Sequence, residues 1–141
     1  MIYTNSDGGA RGNPGPGAIG VLIRRDEEIL TRYSAKIGNF VTNNIAEYEA
    51  LIKALEIASR FTSDEVTCIL DSELVVKQLL GKYRVLNHRL TPLFLKVQEL
   101  QEKFKKVTYR HVSREDKFQI ITDEMLNAEL DKEGIRRYRR N

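Results

Sequence analysis

The sequence predicts an α/β fold, a five-stranded mixed sheet with helices on both faces, from three observations. Residues up to Ala35 carry three strand-like runs broken by turn-forming residues, which predicts an antiparallel meander. A long stretch then places Ala46, Ala50, Leu51, Ala54, Leu55 and Ala58 at helical spacing. A short β-branched run follows at Val66 to Leu70. A strand reached through a helical crossover pairs parallel, so both kinds of pairing are expected in one sheet.

The elements follow in order. Ile2 to Ser6 and Ala18 to Arg24 read as strands flanking a Gly/Pro-rich turn, and Glu28 to Ala35 as a third strand closing a hairpin over Asp26 and Glu27. Thr42, Asn43 and Asn44 are N-cap candidates for the long helix, because short polar side chains accept the first free N–H groups. Val66 to Leu70 suits a buried strand, and Ser72 to Leu80 a helix ending near Gly81. Pro92 to Lys105 supplies another helix, Val107 to Val112 the last strand, and Ile120 to Lys132 the last helix.

At 141 residues the chain suits one domain, expected over 1–134, with a basic C-terminal tail at 135–141 where Arg136, Arg137, Arg139 and Arg140 surround Tyr138. Such a tail suits phosphate contacts, solubility or docking through Ile135 and Tyr138. The 41% hydrophobic and 30% charged fractions are those of a globular chain. No apolar run approaches the ~20 residues of a membrane span. The first residues lack a secretory pattern, so a cytoplasmic location is expected. Cys68 is the single cysteine, which excludes an internal disulfide or a cysteine-based zinc cluster, and its apolar neighbours suggest a buried small hydrophobe.

The informative residues are acids where burial would normally forbid them. Glu47 precedes Ala50 and Leu51 by three and four residues, which sets it on the apolar stripe of its helix. Asp123 stands in the same relation to Leu126 and Leu130. Asp71 ends a buried strand, and Asp7 is expected to end the first strand before a glycine turn. Singly these could be a helix cap (Asp71 with Ser72), an Asx turn (Asp7) or a favourable charge at a helix start (Asp123). Together they point to a divalent cation, since grouped carboxylates otherwise repel, and hard oxygen ligands suit Mg²⁺ or Mn²⁺ over zinc.

Three segments, running from Ser6-Asp7-Gly8-Gly9-Ala10-Arg11-Gly12-Asn13-Pro14 to Gly17, then Thr42-Asn43-Asn44-Ile45-Ala46-Glu47, then Asp71-Ser72, resemble the signature of type 1 ribonuclease H. The resemblance spans almost the whole chain. It implies the ribonuclease H-like fold and endonucleolytic hydrolysis of the RNA strand of RNA/DNA hybrids. It assigns Asp7, Glu47, Asp71 and Asp123 as catalytic metal ligands for two Mg²⁺ ions, with Mn²⁺ a substitute, leaving 5′-phosphate and 3′-hydroxyl ends. It implies substrate contacts at Gly8, Gly9, Arg11, Gly12, Asn13, Thr42, Asn43, Asn44, Ser72 and Asn87. The glycines suit backbone approach to a sugar-phosphate chain, and the asparagines suit 2′-hydroxyls and minor-groove edges.

The chain departs from the family pattern in three places. The segment Gly81 to Thr91 is short, so the basic handle of many relatives is missing. The loop expected at Ser113 to Thr122 lacks the histidine that aids product release in relatives; His111 reads as structural and Arg114 is the candidate for that role. Gln119 stands where the family usually has Asn, and Thr122 where it has Ala. The resemblance is therefore to the compact, archaeal-like branch, with a monomer, no membrane and no obligate protein partner expected.

Overall fold

The computed structural model describes residues 1–132. In chain order these form β1 (Ile2–Ala10), β2 (Gly15–Arg25), β3 (Glu28–Val41), α1 (Asn43–Ala58), β4 (Glu65–Leu70), α2 (Glu73–Leu79), α3 (Thr91–Gln101), β5 (Lys106–His111) and α4 (Lys117–Lys132). The strands make one five-stranded sheet in the order β3-β2-β1-β4-β5. β1 pairs antiparallel with β2 and parallel with β4, and β4 pairs parallel with β5, so the sheet is mixed as expected.

Alternation along β2 decides which helix covers which face. Val21 and Ile23 enter the main core with Leu51 and Leu55 of α1, Val66 and Cys68 of β4, and Val97 and Leu100 of α3. Ala18 points the other way and meets Leu126 and Leu130 of α4. Helix α1 carries no acid in its first turn and no base in its last, so its dipole is not offset by charge. Its support comes from the Thr42 hydroxyl, which accepts the Ile45 N–H at 3.2 Å, and from burial. Fully buried Leu51 and Leu55 each contribute roughly 1.5–3 kcal/mol.

Several boundaries differ from expectation. β1 continues past Ser6 to Ala10, because its β2 edge goes on pairing from Asp7 opposite Gly20 to Ala10 opposite Gly17. Asp7 therefore does not end its strand, and the turn begins only after Ala10. β3 runs on from Ala35 to Val41, with register shifts opposite Gly15, Gly17 and Ala18 of β2. α3 spans Thr91–Gln101 and stops short of Lys105. α4 starts at Lys117, not Ile120, because the Asp116 carboxylate accepts the N–H groups of Phe118 at 3.0 Å and Gln119 at 3.2 Å. Gln119 and Thr122 are consequently helical and buried, and no loop reaches Thr122. The domain end at residue 134 and the tail residues Ile135, Arg136, Arg137, Tyr138, Arg139 and Arg140 lie outside the described residues.

Candidate active site

β1 and β4 run in parallel register until Ser6 stands opposite Leu70. The next residues are Asp7 and Asp71, so two carboxylates emerge side by side where the parallel pairing stops. Glu47 reaches them from the second turn of α1. Oxygens of Asp7, Glu47 and Asp71 lie within 4.8 Å of one another, although Asp7 is 6% and Glu47 7% exposed. Glu47 Oε1 accepts the Gly8 N–H at 2.9 Å, while Glu47 Oε2 is buried without a hydrogen-bond partner. That contact requires α1 to lie almost on the backbone of β1. A Cβ on Gly8 would stand 2.1 Å from the Ala46 carbonyl oxygen, so glycine there makes room for the helix that carries Glu47.

Burial, and then the charge of Glu47, push the Asp7 carboxyl far above the usual carboxylate range. Burial also raises Glu47, against the pull of the adjoining Asp7 carboxyl and of the Gly8 N–H. Burial raises Asp71 as well, opposed by the positive charge of Arg114.

Asp123 is placed differently from the expected apolar stripe. The buried side of α4 is Phe118, Gln119, Thr122, Leu126 and Leu130, and Asp123 lies one residue, about 100° of helix, beyond Thr122. It is exposed and faces the same cleft, where its charge acts on Asp7 and Asp71.

The cleft, of about 510 Å³, brings the four acids together with Gly8, Gly9, Arg11, Asn43, Asn44, Ser72 and Arg114. Gly12, Asn13, Thr42 and Asn87 do not line it. Gly12 turns the chain with φ +94°, and Asn13 accepts the Asn43 N–H at 3.0 Å while the Asn43 side chain accepts the Ala10 N–H at 2.9 Å. These bonds fix the glycine-rich turn to the start of α1. Asn87 lies exposed between α2 and α3, its side-chain oxygen accepting the Arg89 N–H at 2.8 Å. Arg11 is directed at α4, with Nη1 2.8 Å from Asp131 and Nη2 bonded to the backbone and side-chain oxygens of Asn127 at 3.2 and 3.0 Å. His111 ends β5, exposed rather than packed, and its charge favours the Asp71 carboxylate. Glu124 and Asn127 also line the cleft and were not anticipated. For Asn127 the signal was its position four residues after Asp123, on the same face of α4.

The donor set fits a divalent cation. It consists of hard oxygens only, one of them buried and unpartnered, on carboxyls whose mutual repulsion a cation would relieve.

This chain is similar to several known proteins. The family described as "Reverse transcriptase-like" matches residues 5–117. A bifunctional protein of Mycobacterium tuberculosis is 35% identical over 115 residues, 80% of this chain and 31% of that protein. A ribonuclease HI of Halobacterium salinarum is 40% identical over 114 residues, 80% of this chain and 57% of that one. Thus the chain spans only part of the curated relatives it matches. The solved structure of the Halobacterium enzyme superposes with a TM-score of 0.86 at 35% identity, covering 93% of this chain and 98% of that one. LC11-RNase H1, solved in complex with an RNA/DNA hybrid, superposes with a TM-score of 0.87 at 39% identity, covering 94% and 99%.

Proposed function

This chain belongs to the ribonuclease H family of enzymes, in agreement with its archaeal-like features, and from that premise we propose that it hydrolyses the RNA strand of RNA/DNA hybrids endonucleolytically. The observation that carries the proposal is the cluster of Asp7, Glu47 and Asp71 lining the cleft. Asp7, Glu47, Asp71 and, from α4, Asp123 would hold two Mg²⁺ ions, with Mn²⁺ able to replace them. The chemistry such ions supply is activation of the attacking water and stabilisation of the leaving 3′ oxygen, giving 5′-phosphate and 3′-hydroxyl ends.

The chain's own residues bind and orient the substrate. Gly9 leaves the β1 backbone open to a sugar-phosphate chain, and Asn43, Asn44 and Ser72 present polar groups suited to 2′-hydroxyls. Arg114, at the cleft with its charge already acting on Glu47 and Asp71, is the group proposed to help product leave. Gly12, Asn13 and Thr42 act one step back, by holding the turn and the helix start. Arg11 holds α4 beside the cleft, and Asn87 is the proposed contact for the DNA strand. A monomer acting in the cytoplasm without an obligate protein partner belongs to the same proposal.

The test is incubation of end-labelled RNA/DNA, RNA/RNA and DNA/DNA duplexes with the protein in Mg²⁺, Mn²⁺ or EDTA. Cuts confined to the RNA of the hybrid, absent in EDTA and leaving 5′-phosphates, are expected. Efficient incision of all-DNA duplex would overturn the reading, because the 2′-hydroxyl would not be recognised.

A further inference from the structure

Between the sheet and the first turns of α4 lies a buried polar chain of groups that the catalytic reading does not use. Arg24 Nε donates to Asn5 Oδ1 at 2.7 Å, Asn5 Nδ2 donates to Gln119 Oε1 at 3.0 Å, and Gln119 Nε2 donates to the Ser6 carbonyl at 3.1 Å. Asn5 and Gln119 are fully buried and Arg24 is 6% exposed. The Arg24 guanidinium stacks 3.9 Å over the Phe118 ring and 4.9 Å from the Tyr3 ring, and also donates to the Asp26 carbonyl. The Thr122 hydroxyl closes the far end by donating to the Gln119 carbonyl at 2.9 Å.

The direction of this relay has a single consistent solution. Arginine has donors only, so it turns the Asn5 oxygen toward itself and the Asn5 NH₂ toward Gln119. Gln119 must then offer its oxygen to Asn5 and its NH₂ to the Ser6 carbonyl. Both anchor points are next to metal-site residues: Ser6 immediately precedes Asp7, and Gln119 lies four residues, one helical turn, before Asp123. A buried charge with amide partners is a costly way to fill a core and contributes little net stability over apolar packing. What it supplies is a directional register between β1 and α4, which the small apolar contact of Ala18 with Leu126 and Leu130 does not.

We propose that Arg24, Asn5 and Gln119 are positioning residues, whose relay sets where α4 sits along β1 and so places Asp123 against Asp7 for metal binding. The inference rests on the hybrid-cleaving reading above for its activity readout but not for its metal readout. The variants are Gln119→Met, which keeps volume and removes the Gln119 bonds, and the triple Asn5→Leu/Arg24→Met/Gln119→Met, which removes the three side-chain partners together. Replacing the three side chains together leaves no buried side-chain donor or acceptor of the relay unpaired, only the Ser6 and Asp26 carbonyls without their side-chain donors, so the triple variant remains testable where the single one is unstable.

Melting temperature, Mg²⁺ affinity by titration calorimetry without substrate, and kcat and KM on a hybrid are measured for each. Expected are Mg²⁺ affinity and kcat lowered roughly tenfold in both variants, hybrid KM within about twofold of the parent, and a melting temperature recovered only in the triple variant. Retention of the parent's Mg²⁺ affinity and kcat in the folded triple variant would overturn the proposal and leave the relay a packing feature. A parent protein that binds Mg²⁺ through Gln119-dependent geometry yet cuts no hybrid would overturn the catalytic reading alone.

Discussion

At Asp7 two demands conflict, since the residue is nearly buried yet faces two other carboxylates, and the conflict is measurable without substrate. A carboxyl whose folded pKa is raised binds a proton in the folded state that the unfolded chain has released. Its stabilisation is complete below the ordinary aspartate value near 3.9 and fades as pH rises toward the raised value. Metal-free protein should therefore lose stability from this residue as pH rises from about 4 toward the raised value of about 11, at up to ~1.4 kcal/mol per unit. Asp7→Asn removes the titration, so in EDTA the variant should melt higher than the parent, by a margin that grows from pH 5 to pH 8. A constant margin would show that Asp7 is not the group responsible. With Mg²⁺ present, Asp7→Asn, Glu47→Gln and Asp71→Asn should each lose activity by more than the roughly 10- to 100-fold typical of outer-shell changes at metal sites. Parent-like turnover in any of them removes that residue from the ligand set.

Helix α4 is vulnerable to a single substitution in β2. A Cβ at Gly20 would stand 2.3 Å from the Thr122 carbonyl, so Gly20→Ala must lift the helix that carries Asp123. Overpacking of this kind costs about 1–3 kcal/mol, and here the loss of activity measured in kcat should exceed what the fall in melting temperature accounts for. An equally active, merely less stable variant would mean that α4 need not sit close to β2. Helix α4 is also where sequence reading fell short. The Asp116 cap was legible as an Asp followed three residues later by Gln119, but the apolar repeat starting at Ile120 is the stronger local pattern and points to a later start. The same error put Asp123 near a helix start instead of in the second turn. By contrast α1 and α2 were readable because a cap residue and buried side chains agree in each, and β4 because its short β-branched run is continuously buried. Glu47 and Asp71 followed directly. Gly8 was legible as necessary but not for its packing reason, since nothing in local sequence states that the Ala46 carbonyl will sit above it.

Across the whole molecule the sheet separates two unequal interiors. The face under α1 and α3 holds the main core, whereas α4 is held by Ala18, Leu126, Leu130 and polar bonds. In native-state hydrogen exchange, amides of α4 should open at lower free energy than those of α1, and Mg²⁺ should narrow the gap by tying Asp123 to the β-sheet acids. Equal protection of the two helices in EDTA would count against a separable α4. The proton retained by the raised Asp7 carboxyl also changes how the protein's charge responds to loading. A divalent ion must expel that proton, so the first ion raises the molecule's charge by less than its formal two units. The heat of Mg²⁺ binding should accordingly vary with the protonation enthalpy of the buffer. The slope of that dependence counts the protons released into solution, each of which makes the loaded protein less attractive to a polyanion than the ion's own charge suggests.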